Sequence, residues 1–231
     1  MAERFMIDPA NPGEVLACAG LAWLADRAEP GAQSGFIEHG GRWYFEVPFA
    51  PEPLMELTAN DPQAHDDHLA VGPLRLDWWQ RDWGLNPAFK FWAGQQTAQS
   101  VLTNLLHAAR PGAPADWLSF MAPTTGRLGV DPRGNWDSLS LGWSINEHNK
   151  IKNLCRPYVE WLAFLGLQAF PVQGDRTNGL HYHLWRPAPL TIAVLAFAGA
   201  GRHAIAGYTA GAGKSGSNTY LKSGQPFRSE P

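Results

Sequence analysis

Leu16, Gly20 and Trp23 recur at helical spacing behind a polar start, with Leu21 and Leu24 beside them. Asn11 caps, Pro12 suits the first turn, and Glu14 stands three residues after the cap. Gly20 costs about 1 kcal/mol relative to Ala inside a helix, so its position predicts close approach of another element. Asp26 and Arg27 mark the polar end. A hairpin follows, because Gly40-Gly41 separates two β-rich runs, 35–39 and 42–47. Residues 48–68 read as an irregular acidic stretch, and 74–79 as a short strand leading into an aromatic cluster of Trp78, Trp79, Trp83, Phe89, Phe91 and Trp92. A second helix is predicted over 97–109, with Val101, Leu105 and Ala108 in phase and Arg110-Pro111-Gly112 ending it.

Residues 111–136 are rich in Pro and Gly and read as loop, and 138–145 alternates like a strand. A third helix is predicted from Pro157 to about Phe170, with Tyr158, Trp161, Leu162, Leu165 and Leu167 on its apolar side. Its Gly166-Leu167 echoes Gly20-Leu21, which suggests that the two helices pack similarly. Residues 181–185 and 190–197 read as strands around a Pro-x-Pro turn, the second alternatively as a short buried helix. Residues 207–227 are rich in Gly, Ser and Lys. With no clear linker, the simplest reading is one α+β unit over 1–231: mainly antiparallel sheet with about three packed helices.

Apolar residues make up 45% of the 231 residues and charged residues 17%, enough to bury a core without staples and with much neutral surface left over. Cys18 and Cys155 sit among apolar residues and read as buried thiols. Glu3, Arg4 and Asp8 break any signal-peptide core, and the longest apolar run, 190–200, is about half a membrane crossing. The expectation is a cytoplasmic protein. The net charge of −3 argues against indiscriminate nucleic-acid binding, but its distribution matters more. Residues 1–149 hold 9 Lys+Arg against 18 Asp+Glu, whereas 150–231 hold 9 against 3. A basic C-terminal part of +6 beside an acidic N-terminal part of −9 suggests an electropositive face able to attract phosphate.

Several motifs invite chemistry. Residues 211–215, Gly-Ala-Gly-Lys-Ser, resemble the end of a P-loop, but the leading Gly would fall on Tyr208 and no helix is predicted to follow. The exposed N–H groups, Lys214 and Lys222 still suit phosphate oxygens. His65-Asp66-Asp67-His68 has metal-ligand residue types without a third ligand in register, so a solvated acidic loop is the better reading. His181-x-His183 puts two histidines on one strand face, where cross-strand packing explains them. No nucleophile elbow, Cys-x-x-Cys pair or His-Glu-x-x-His helix occurs, so no enzymatic activity and no cofactor are expected. The polar stretch 146–153 supplies amides and two lysines, with Arg156 at the next helix start. Most of the eleven tryptophans, Trp23 and Trp161 among them, are expected in the core rather than in base stacking.

Residues 8–27, beginning Asp-Pro-Ala-Asn-Pro-Gly-Glu, resemble the N-terminal signature of the Csb-three family, the small Cas-eight-like subunits of type I-G (formerly I-U) CRISPR-Cas systems. Residues 92–96, Trp-Ala-Gly-Gln-Gln, look like its internal block; 155–160 with 166–170 look like its third, and 222–227 is similar to its end. The C-terminus departs from large Cas-eight proteins, which usually end in a long helical bundle. The resemblance implies a non-catalytic subunit of a Cascade surveillance complex in antiviral defence. Its partners would be crRNA, target double-stranded DNA, the backbone and crRNA-processing subunits, and a recruited helicase–nuclease that does the cutting. In such complexes base pairing reads the target, and protein reads the adjacent motif and the backbone. No residue map comes with the resemblance. Charge and polarity nominate Asn149, Lys150, Lys152, Arg156, Lys214, Ser215, Asn218 and Lys222, the lysines for phosphate, Asn and Ser for edges or backbone. A structural adaptor without nucleic-acid contact, or a metal-dependent hydrolase using His65, Asp66, Asp67 and His68, are the alternatives.

Overall fold

The computed structural model describes residues 2–56, 60–80, 84–86, 90–92, 96–124, 126–134, 154–175, 177–215 and 218–227. The strand expected at 138–145, Trp83, Phe89, Asn149, Lys150 and Lys152 lie outside them. The described chain is α+β, with every strand pair antiparallel. No helix among the described residues is long and apolar enough to cross a membrane.

Two buried helices form the centre. Helix α1 spans Pro12–Ala28, capped as the sequence predicts: the Asn11 side chain accepts from the Glu14 N–H at 3.2 Å. Every residue from Pro12 through Ala25 is buried. Helix α4 spans Pro157–Gly166 and is buried along its whole length. A helix apolar on all sides needs partners all round, and the first partner of each is the other. The crossing depends on the two echoed glycines. A Cβ on Gly20 would lie 2.0 Å from the Leu162 carbonyl oxygen, and one on Gly166 would lie 2.3 Å from that of Leu16. The close approach expected at Gly20 is therefore backbone against backbone.

Sheets cover this pair. Strands β1 (Glu3–Ile7), β2 (Gly35–His39) and β3 (Arg42–Val47) form a sheet in the order β1-β3-β2. The hairpin turns at Gly40 and Gly41, with φ of 60° and 72°, a conformation that glycine adopts without steric cost. Strand β1 has no clear signal in the sequence; β3 brings it into register from Glu3 opposite Val47 to Ile7 opposite Trp43. Helix α2 (Pro51–Glu56) and a small sheet of β4 (Gln63–Ala64), β5 (Leu69–Val71) and β6 (Leu74–Leu76) follow, so the strand expected over 74–79 stops at Leu76. Helix α3 (Ala98–Ala109) starts in a reciprocal capping box between Thr97 and Ser100. Strands β7 (Ala122–Pro123) and β8 (Leu154–Cys155) pair antiparallel.

The C-terminal part differs most from the expectation. Strands β9 (Gln173–Asp175) and β10 (Gly179–Trp185) are followed by helix α5 over Leu190–Phe197, where the sequence reads first as strand. Eight residues without a charge fit either state locally; Ala193, Ala196 and Phe197 turn inward at helical spacing. The Gly-rich tail is strand as well: β11 (Ala204–Ala210), β12 (Ala212–Ser215), β13 (Asn218–Leu221) and β14 (Gln225–Phe227). A four-stranded sheet results, ordered β14-β11-β10-β9. Trp185 joins it to the first sheet. Its ring meets Phe36, Phe45, Phe170 and Phe197 within 6.2 Å, and its indole N–H donates to the Ser34 carbonyl at 3.0 Å. Trp78, Trp92 and Phe164 make a second aromatic knot against α4. Trp23 and Trp161 are buried, as expected.

Candidate nucleic-acid interface

Strands β12 and β13 pair as a two-stranded ribbon with Lys214 opposite Thr219 and Ser215 opposite Asn218. Lys214 is exposed. Lys222 is exposed too and follows β13 directly, its N–H donating to the Gly211 carbonyl at 2.8 Å. Four of the eight nominated residues thus share one ribbon and its base. The ribbon is stiffened where it is barest: a Cβ on Gly213 would run into the Tyr220 ring at 2.6 Å, so the ring lies directly over the glycine. Residues 212–215 are ladder-paired strand rather than a loop curled before a helix, which is not the geometry of a P-loop.

The ribbon is rooted in the interior. Leu221 is buried, and its N–H donates to the Gly129 carbonyl at 2.8 Å. The Gly129 N–H in turn donates to Glu160 Oε2 at 2.7 Å, while Glu160 Oε1 accepts from the Val130 and Asp131 N–H groups at 3.0 and 2.9 Å. Burial pushes the Glu160 carboxyl up, opposed by these backbone donors. Gly129 has a φ of 86°, and its would-be Cβ lies within 3.0 Å of the Thr219 carbonyl oxygen, so the loop needs glycine there twice over.

Arg156 belongs to this interior, not to the surface. Its side chain is 3% exposed. Its Nε and Nη2 donate to the two Asp131 oxygens at 2.7 Å each, and its Nη1 donates to Glu14 Oε1 at 2.7 Å and the Leu118 carbonyl at 3.0 Å. Asn11 Nδ2 donates to Asp131 at 2.9 Å, and the Asp8 N–H to Glu14 Oε2 at 2.8 Å. Burial presses the Asp131 carboxyl upward, but Arg156 and Asn11 outweigh it and hold the pKa below the ordinary value. With its donors taken up by two carboxylates and a carbonyl, Arg156 ties α1 to α4 and to the loop at 131, and is not positioned to hold phosphate as its charge alone suggested. Asn149, Lys150 and Lys152 lie outside the described residues.

Sequence reasoning overlooked this network. Its one signal was that Glu14 and Glu160 are each the lone charge in an otherwise apolar stretch, 12–25 and 157–166. Such an acid is buried only with partners. Asp131 carried no signal, because its partners lie 25 and 120 residues away.

The His-Asp-Asp-His stretch forms the turn between β4 and β5. The His65 and His68 rings stack 4.4 Å apart, and Asp67 accepts from Arg75 at 2.7 Å and meets His68 Nδ1 at 2.6 Å. The His68 and Arg75 hydrogen bonds hold the Asp67 carboxyl down to about 2. Asp67 is thereby taken up by an ion pair, and among the described residues no three His, Cys, Asp or Glu side chains gather as metal ligands would. His181 and His183 flank Phe227 of β14 at 6.0 and 5.2 Å, and His181 bonds Thr209 across the sheet, the packing role expected for them. Cys18 and Cys155 are buried free thiols whose pKa burial raises, which makes them poor nucleophiles.

No protein-family model, no curated protein and no solved structure matches this chain.

Proposed function

We propose that this chain is a non-catalytic subunit of a type I CRISPR RNA-guided surveillance complex. In this reading it docks beside crRNA and the backbone and crRNA-processing subunits, and it contributes to binding target double-stranded DNA and to reading the adjacent motif. Cleavage falls to a recruited helicase–nuclease, and the setting is cytoplasmic.

The observation that carries the reading is the ribbon at 212–221 with its two exposed lysines. It lies within a stretch, 177–227, that holds Arg186, Arg202, Lys214 and Lys222 and no Asp or Glu. A two-stranded ribbon is slim enough to enter a DNA groove, and lysines at its side and base suit flanking phosphates. Exposed lysines on a stretch of sequence without carboxylates favour phosphate by releasing counterions. The test is to replace Lys214 and Lys222 by Glu in the assembled complex and measure target-duplex affinity across a salt series. The variant is expected to bind more weakly, with a salt slope shallower by about 0.9 for each phosphate that the lysines no longer neutralise. An unchanged affinity and slope remove the ribbon from the interface.

The adaptor reading has one observation in its favour. Ile192 and Leu195 of α5 are 39% and 59% exposed on a helix with no charge of its own. An interface map of the assembled complex with this face buried and the ribbon in solvent would favour it.

A further inference from the structure

Trp43 opens a second possibility, far along the chain from the lysines. It stands near the start of β3, opposite Ile7 on one side and Glu38 on the other, and only partly packed against the core. It lines two open clefts. One, of about 710 Å³, lies between the hairpin end, the exit of β1 and the loop at 133; the other, of about 570 Å³, lies between β2 and the segments around 187 and 205. Because Trp43 borders both, it forms the ridge between them.

Three arginines border this ridge: Arg42 and Arg133 in the larger cleft, Arg186 in the smaller. Among the described residues, Arg42 and Arg186 pair with no carboxylate, and both are exposed. Arg133 is 54% exposed and makes only long contacts, 3.4 Å to Glu14 and 3.8 Å to Asp8. Arg156 also lines the larger cleft, but its charge is taken up by Asp131, which it holds through two hydrogen bonds, and by Glu14. Glu14, Asp8 and Glu38 then face the three arginines, so the two clefts together carry no excess of cations. Charge alone therefore cannot hold a polyanion there. Affinity must come from the face of an aromatic ring, which selects a ligand carrying both flat apolar rings and spaced negative charges.

We infer that the Trp43 ridge is a stacking platform for single-stranded nucleic acid: a base lies on the indole, and the phosphates to either side reach Arg42 or Arg133 in one cleft and Arg186 in the other. This rests on the reading that the protein works on nucleic acid, but it concerns a different surface and a different strand state from the ribbon. Stacking on an aromatic face tolerates any base, and arginine beside it serves the backbone.

The purified full chain is titrated against labelled oligo-dT and oligo-U, with poly-glutamate as a competitor that has charge and no bases. Trp43→Leu, which keeps apolar bulk in the hairpin, is expected to weaken binding by about 5- to 150-fold, the range for one stacked base. Arg186→Ala is expected to flatten the salt dependence by about 0.7. Arg186 is exposed, so this second variant decides the matter even if Trp43→Leu unfolds. The stronger of the two oligonucleotides identifies the strand as DNA or RNA. The inference is overturned if the chain binds neither, if both variants bind as the wild type does, or if poly-glutamate competes as well as either oligonucleotide. None of these results touches the duplex measurement on Lys214 and Lys222 in the assembled complex, so the two readings fail separately.

Discussion

Replacing Gly20 by Ala adds one methyl group where two helix backbones meet, and the structure gives the size of the collision. The new Cβ would lie 2.0 Å from the Leu162 carbonyl oxygen and 2.8 Å from its carbon. Both are well short of contact, since carbon and oxygen settle at about 3.4 Å or more. The obstacle is main chain inside a buried helix, so no side chain can swing aside. Either α1 and α4 part by about 1 Å or the crossing shears. Parting loosens the packing of Leu16, Ala19, Leu162 and Leu165, all buried. Overpacking of this kind costs about 1–3 kcal/mol, and a backbone obstacle places Gly20 at the upper end. Alanine returns about 1 kcal/mol through helix propensity. The net expectation is a loss of about 2 kcal/mol, which for a chain of this size lowers Tm by about 4–8 °C. Gly166→Ala meets the Leu16 carbonyl oxygen at 2.3 Å and the Gly20 nitrogen at 2.8 Å, and should cost a similar amount. Because either substitution already separates the helices, the double variant should lose clearly less than the sum of the two. Gly211→Ala is the control: its Cβ would meet nothing within 4 Å, and its stability should be unchanged or raised by up to about 1 kcal/mol. Urea unfolding followed by tryptophan fluorescence measures all four. A Gly20→Ala protein as stable as the wild type, or strictly additive single losses, would refute the backbone-contact argument.

Two further outcomes follow from buried polar groups. Arg156→Met should cost about 3–5 kcal/mol in urea unfolding, because it leaves Asp131 and Glu14 buried without their cation; a loss under about 1 kcal/mol would show that the network is not what joins α1 to α4. His183 bears on pH. Burial, with a smaller push from the charge of His181, presses its pKa below the ordinary 6.5 and outweighs an opposing hydrogen bond to the Phe197 backbone. The unfolded chain therefore takes up a proton that the folded state resists, so stability holds above pH 6.5 and falls as pH drops below it. His183→Gln should flatten that fall when urea midpoints are compared on either side of the value; an equal fall in both proteins would assign the effect to other groups.

Local chemistry was enough to determine much of this protein. Asn11, Pro12 and Glu14 set where α1 begins, Gly40-Gly41 set the hairpin turn, and Thr97 with Ser100 set the start of α3, because each acts on backbone close to itself in the chain. Gly20 pointed to a close approach, since a bare spot in an apolar helix has few other uses, but not to α4 as the element that makes it. The tertiary structure alone decided the rest. Residues 190–197 have no charge and no period strong enough to choose between strand and helix; packing of Ala193, Ala196 and Phe197 chose. Strand β1 and the Gly-rich β12–β13 ribbon exist because β3 and the Gly129 loop offer them hydrogen-bond partners. The sign of a side chain's charge is written in the sequence, but whether that charge meets solvent or a carboxylate 142 residues away is not. Arg156 and Lys214 carry the same charge in the same basic C-terminal part, and only the fold turned one inward to Glu14 and Asp131 and left the other exposed.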